Sequence, residues 1–424
     1  MRMPRYALQF LSVALLVPHA AAGVLVVAPS GAPYSTIQAA INAAQDGDTV
    51  LIRNGTYIET PVIDGKSISV CADHENGVDL VNGGMIQVSN ITAGKCLLLS
   101  GFSFQTTYPA GLQIQNCAGS VRLVGLSSVQ NLGPWDDAVH VLGCQDVLIA
   151  RCSCLGGISI NQQTAHPGIG LSIANSNVSL YDSTCGGGTG AAAYPLGTGG
   201  FWTLPIAGAP ACEIDAGSTV FISRCMFQGG TGGKGPSAMC FPASIPAGPG
   251  APGGAGLQLS SLQTYILDSQ MLGGAGGQGG DPASACGLPV GPQGPNGPDV
   301  SGSPVLLSGP GREFDCPTLV RELQSLQLNV RGQPGDSAWV AISLQPNWVL
   351  DLPFQGVRLF AQPARRVLLG TIPGSGTLNL PLLMPALPPL AENRRLHLQA
   401  FFIDSSGAYH LGSGAVTVEL DSAF

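Results

Sequence analysis

Five titratable side chains in two short runs could do chemistry. Trp135-Asp-Asp-Ala-Val-His-Val places Asp136 and Asp137 just ahead of His140, and Ala211-Cys-Glu-Ile-Asp holds Glu213 and Asp215. Acid and base groups fixed on one rigid face could move protons at a bound substrate. Two carboxyl groups about 6.5 to 9.5 Å apart could protonate a glycosidic oxygen while activating water. The simpler reading is that a long exposed strand face must be polar somewhere, and Asp136 could equally cap a turn after Gly133-Pro134. Other candidates are weaker. Asp73, His74 and Glu75 are consecutive, so on a strand they point apart, and no metal site is expected. Cys152-Ser-Cys154 falls in a slot of the repeat that faces inward, which makes it structural. The glycine runs around Gly229 and Gly273 precede no helix and no Gly-Lys-Ser/Thr, so they are not phosphate loops and no cofactor is expected.

What would position these residues is a repeat. Val147-Leu-Ile-Ala-Arg-Cys-Ser-Cys-Leu-Gly-Gly returns as Val178-Ser-Leu-Tyr-Asp-Ser-Thr-Cys-Gly-Gly-Gly, Val220-Phe-Ile-Ser-Arg-Cys-Met-Phe-Gln-Gly-Gly and Thr264-Tyr-Ile-Leu-Asp-Ser-Gln-Met-Leu-Gly-Gly. A second short strand precedes each copy. Alternation then predicts an inward column of Ile86, Leu112, Val139, Leu171, Cys212 and Leu257, with Gln87, Gln113, His140, Ser172, Glu213 and Gln258 facing out. Extra length falls at one repeated place, in Gly- and Pro-rich insertions, as a solenoid allows. The bend column Gly101, Gly125, Arg151, Asp182, Arg224 and Asp268 reads as structural: Gly and Asp tolerate a left-handed backbone, and opposite charges on neighbouring coils do not repel. His140 and Glu213 would lie two coils, or roughly 10 Å, apart. Upstream, Ser35 to Ala44 has apolar residues at helical spacing behind a Ser35 or Thr36 N-cap and reads as a helix closing the open end.

Ser35-Thr-Ile-Gln-Ala-Ala-Ile, Asp46-Gly-Asp-Thr-Val-Leu-Ile and Gly55-Thr-Tyr-Ile-Glu resemble the opening of pectin-lyase-like right-handed β-helix proteins. That superfamily holds pectin esterases, pectate lyases, polygalacturonases and many secreted bacterial proteins of no known activity. With the repeats, the resemblance covers roughly residues 24 to 315. It implies the fold. The Gly-His-Gly and Arg-Ile-Lys signatures of polygalacturonases and the Gln-Asp-Thr and Asp-Phe pair of the esterases are absent. Only Trp135-Asp-Asp-Ala-Val-His-Val is similar to the Asp-Gly-Ile stretch that opens a polygalacturonase coil.

Composition bounds the rest. Charged residues make up 10% of the chain and hydrophobic ones 45%, a balance foreign to disordered chains. A net charge of −8 argues against nucleic acid as partner. Arg2 and Arg5, an apolar run from Ala7 to Val17 and Ala20-Ala-Ala have the order of a signal peptide and are too short to span a bilayer. The expected organisation is a signal peptide over 1–22, the β-helix over 23–315, and over 316–424 an antiparallel, sandwich-like module serving attachment or end-capping. All 12 cysteines lie between Cys71 and Cys316. Export favours pairing, and equivalent offsets in successive insertions suggest a Cys240–Cys286 disulfide, the alternative being that each pairs elsewhere, with Cys212 or Cys316. The class expected is therefore all-β, the place secreted or cell-surface, and the partner a polysaccharide or surface glycan. The function read first is non-enzymatic binding or structure, and the alternative is a polysaccharide hydrolase or lyase using Asp136, Asp137, His140, Glu213 and Asp215.

Overall fold

Alternating apolar and polar residues, coil after coil, wind the chain into a right-handed parallel β-helix. The computed structural model describes residues 22–81, 85–105, 110–128, 137–159, 166–196, 201–240 and 244–424. The expected signal peptide and Asp136 lie outside these residues. Three parallel sheets run the length of the solenoid, with ten, eight and eight strands. The first sheet starts at Val24–Val27 and ends at Val305–Leu307, the second runs from Val62–Asp64 to Val300–Ser301, and the third from Gly55–Tyr57 to Gln270–Leu272. Eight complete coils result among the described residues. Leu112 pairs in register with Ile86 and Val139, and Leu171 with Val139 and Cys212. Their side chains, with Leu257, are buried in one continuous core, each fully buried aliphatic stabilising by about 1.5–3 kcal/mol.

The helix spans Ile37–Ala43, a turn shorter than expected, with Thr36 as N-cap accepting the Ala39 N–H. Glu59 accepts the Ile37 and Gln38 amides at 2.7 and 2.9 Å, while Lys66 Nζ donates to the carbonyls of Ile41 and Ala44. Both unsatisfied ends of this short helix are thus tied to the first coils, and Ile37, Ala40 and Ile41 close the core.

Between first and third sheets, the whole bend column has left-handed backbone, including Arg151 (φ 54°), Asp182 (53°), Arg224 (54°) and Asp268 (47°). A non-glycine residue there costs about 1–2 kcal/mol. Arg224 pairs with Asp182 on the neighbouring coil, as the opposed charges suggest, whereas Arg151 turns outward to Asp315.

The C-terminal residues form a three-stranded sheet, a five-stranded sheet and a two-stranded ribbon, with a core of their own around Leu328, Val340, Leu398 and Phe402. They do not cap the end of the solenoid. They lie along its side, because the outer face of the first sheet is apolar. Val416, Val418 and Leu420 pack on Leu51, Cys71, Leu98 and Val124, and Val357 and Leu359 on Leu148, Tyr181, Phe221 and Leu267. Between these patches Arg122, fully buried, forms a bidentate pair with Asp146 at 2.5 and 2.8 Å.

The Gly- and Pro-rich insertions are ordered. Outgoing segments near 186–193, 229–238 and 273–281 and returning segments near 205–211, 248–256 and 290–298 hydrogen-bond to one another at every third residue. Gly254, Ala251 and Gly248 donate to Gly230, Gly233 and Pro236, while Gly229, Gly232 and Gly235 donate to Leu272, Ala275 and Gln278. Three residues per turn with no internal hydrogen bonds is the polyproline II helix, here six strands in two layers forming an arm. A Cβ on Gly230 would lie 1.9 Å from the Gly188 carbonyl oxygen, which is why glycine recurs. A disulfide joins Cys240 to Cys286 near the arm's tip, the pairing expected from their offsets.

Candidate functional site

The second sheet presents the expected outward ladder. Gln87, Gln113, His140, Ser172, Glu213, Gln258 and Ser301 are aligned by six consecutive parallel pairings. One coil separates each residue from the next, so functional groups recur about every 4.8 Å along the axis. Asn90, Asn116 and Asn175 and glycines 65 and 143 take left-handed backbone where this sheet turns into the first, a conformation Asn and Gly adopt readily. At the opposite edge, the arm leaves from the third sheet and returns into the last three strands of the second.

The ladder holds three of the candidate residues at its rim or centre. Asp137 begins its strand, and its Oδ1 accepts the Ile169 amide of the next coil at 2.8 Å, pinning the insertion that returns there. His140 is half-buried beside Ser172, and desolvation holds its imidazole below the ordinary histidine range, hence neutral at pH 7. Glu213 Oε1 accepts from Gln258 Nε2 at 3.2 Å, an amide–carboxylate pair bridging two coils. Asp215 sits past the strand end. Its Oδ1 accepts from the Asn175 amide, the Gly217 amide and the Ser218 hydroxyl at 3.0, 3.1 and 2.7 Å. The structure therefore aligns His140, Ser172 and Glu213, sets Asp137 at the upstream edge, and uses Asp215 to build the following turn.

Cys154 and Cys185 stack in register inside the solenoid, and Cys152 is buried at the bend, as their slot predicts. Burial pushes the Cys71 and Cys225 thiols up to about 12, leaving them protonated and unreactive near neutrality. Among the described residues, no three His, Cys, Asp or Glu side chains converge as metal ligands, and no helix is long and apolar enough to cross a membrane.

No protein-family profile and no curated protein matches the chain. Among solved structures, it is similar to a pectin methylesterase crystallised with a hexasaccharide, at 15% identity over 58% of this chain and 65% of that one, with a TM-score of 0.25. The chain thus spans just under two thirds of that protein. It is similar also to tailspike protein 2 of bacteriophage CBA120, at 8% identity over 96% and 77% of the two chains, TM-score 0.26. A third is tailspike protein gp49 of Acinetobacter baumannii bacteriophage Fri1, a capsular polysaccharide depolymerase, at 9% identity over 94% and 83%, TM-score 0.18. At such scores the fold rests on the chain's own strand ladders.

Proposed function

We propose that the protein is an exported, non-catalytic polysaccharide binder whose contact face is the second-sheet ladder. The supporting observation is the unbroken line of amide, hydroxyl, imidazole and carboxylate groups from Gln87 to Ser301, one per coil. A polymer with a regular repeat of hydroxyl groups can bond to several rungs at once, and weak single contacts then add. In this reading the contact set is Asp137, His140, Ser172 and Glu213, with Asp136 upstream by its place in the sequence and Asp215 shaping the turn behind. Residues 1–22 direct export, 23–315 form the binding solenoid, and 316–424 brace it. The order of charged, apolar and small residues at the start of the chain supports export.

The purified protein is run through gels containing plant or algal polysaccharides, and the same mixtures are assayed for reducing ends and unsaturated products. Expected are retarded migration without product, and loss of retardation in Asp137→Asn/Glu213→Gln. Product formation abolished in the double variant would replace this reading with a hydrolase or lyase, for which the roughly 10 Å between the His140 and Glu213 backbones leaves room. Full retardation in the double variant would move the contact face elsewhere.

A further inference from the structure

A concave feature lies on the opposite side of the arm, where the third sheet meets the flank of the C-terminal module. Three cavities of about 280, 370 and 820 Å³ run end to end there. The first two share Glu75 and Arg151, and the last two share Asp182 and Thr184, so they form one groove parallel to the solenoid axis. From the coil of Asp73 to that of Asp268 it crosses six coil rises, roughly 29 Å.

Its floor is a second outward ladder. The third-sheet pairings align Ser103, Ser127, Ser153, Thr184, Met226 and Gln270, and all but Ser103 line the cavities. Its wall is the module's Glu313–Asp315 strand with Asn329 and Arg331 beside it. The bend column forms the angle between them, with Gly101 and Gly125 at one end of the groove and Arg151, Asp182, Arg224 and Asp268 along the rest. Independently, Thr318 lines the smallest of the three cavities and is 5% exposed, and its hydroxyl has no hydrogen-bond partner, a buried polar group that a ligand could satisfy.

The lining selects its occupant. Six carboxylates face the groove, those of Asp73, Glu75, Asp182, Asp268, Glu313 and Asp315, against the three guanidinium groups of Arg151, Arg224 and Arg331. Arg224 is shared between Asp182 and Glu313, Arg331 also reaches Glu313, Arg151 is held by Asp315, and Arg53 and Arg321 hold Asp73 from outside the lining, which among the described residues leaves Glu75 and Asp268 without a guanidinium partner. The surplus is negative, which repels polyanions. Among the described residues no aromatic ring lines the groove, so these offer no platform for stacking bases. A peptide would need a free strand edge, yet the wall strand pairs with Asn329 and Arg331 on one side and meets the Ser413 side chain on the other. What remains is an extended chain rich in hydroxyl groups that donates to carboxylates and accepts from hydroxyls and amides. The geometry points to a second binding site in this groove for one strand of a polysaccharide that carries no carboxylates. It does not depend on the second-sheet reading.

The test uses the full mature protein and three soluble probes: galactomannan, a β-glucan and polygalacturonate. Wild type should bind at least one neutral probe ten-fold or more tightly than polygalacturonate. Ser153→Trp, which fills the floor, should weaken that binding at least ten-fold, with far-UV circular dichroism and melting temperature unchanged. If Ser153→Trp misfolds, the near-isosteric Thr184→Val should weaken it several-fold instead. Asp137→Asn/Glu213→Gln is measured alongside, and Thr231→Ala on the exposed arm should leave this neutral-probe affinity unchanged. Preference for polygalacturonate, undiminished binding in folded floor variants, or no affinity for either neutral probe would overturn the proposal. Loss confined to the second-sheet variants would sink the groove and keep the ladder.

Discussion

His397 should make the docking of the C-terminal module sensitive to acid. It lies in the Asn393–Ile403 strand, whose alternate residues Leu396, Leu398, Ala400 and Phe402 fill the module core, which leaves His397 among residues that face the solenoid. The ring is 2% exposed and neither nitrogen has a hydrogen-bond partner. Desolvation first, then the nearby charges of Arg395 and Arg122, hold its proton affinity well below the ordinary histidine range. Arg395 is tied to the Ile68 carbonyl and Ser69, while Asp146, the nearby carboxylate, is already occupied by Arg122. A proton on His397 would therefore be a third buried positive charge with one engaged partner. The unfolded chain accepts that proton near pH 6.5 and the folded one does not, so the stabilisation is complete above pH 6.5 and lost as pH falls. Between pH 7.5 and 4.5 the loss from this residue is up to about 3 kcal/mol, since each pH unit below the unfolded value costs about 1.4 kcal/mol while the folded ring stays neutral. Urea unfolding is followed by tryptophan fluorescence, to which Trp348 contributes from the joint because its ring packs on the solenoid patch. His397→Leu, which sacrifices no hydrogen bond, should match or exceed wild type at pH 7.5 and widen its lead by up to about 3 kcal/mol at pH 4.5. A stability difference that stays constant across that range would refute the reasoning.

Two further outcomes follow from packing. Gly230→Ala forces a methyl group against the Gly188 carbonyl at 1.9 Å, so amide exchange across the arm should accelerate as about 1–3 kcal/mol is lost, while exposed Thr231→Ala should change nothing; equal exchange in both variants would contradict the glycine packing. The ten unpaired cysteines are all buried, so a thiol reagent should label none of them in minutes in the native protein and all of them in strong denaturant. Rapid native labelling at Cys225 would refute the inward placement.

The parts legible in the sequence are those where one strand face is polar. Leu112, Val139 and Leu171 alternate with Gln113, His140 and Ser172, so a register error would turn polar groups inward, and both columns can be read directly. The first sheet behaves differently. Cys96-Leu-Leu-Leu and Val147-Leu-Ile-Ala are apolar at every position, the pattern of strands covered on both faces, and that pattern is the one sequence signal for a module docked along the side rather than on the end. The role of Asp215 is hidden because it depends on where Asn175, one coil earlier, presents its amide. Arg151 cannot be assigned to Asp315 from the bend column, since the pair joins residues far apart in the chain, across the module joint. The arm reads as loops because its segments lack a period of two or 3.6, although the period of three in Gly229-Gly-Thr-Gly-Gly-Lys-Gly is visible.

That period restricts how the arm can change length. Each outgoing segment bonds antiparallel to its return and parallel to its neighbours through every third residue, so inserting one or two residues would rotate everything beyond by roughly a third or two thirds of a turn. Side chains would then enter the interior positions and amides would point away from their acceptors. Only whole triplets, added to an outgoing segment and to its return together, keep the phase. The arm can therefore lengthen or shorten only in steps of a full turn, like a ratchet, while the coils beneath it stay unchanged.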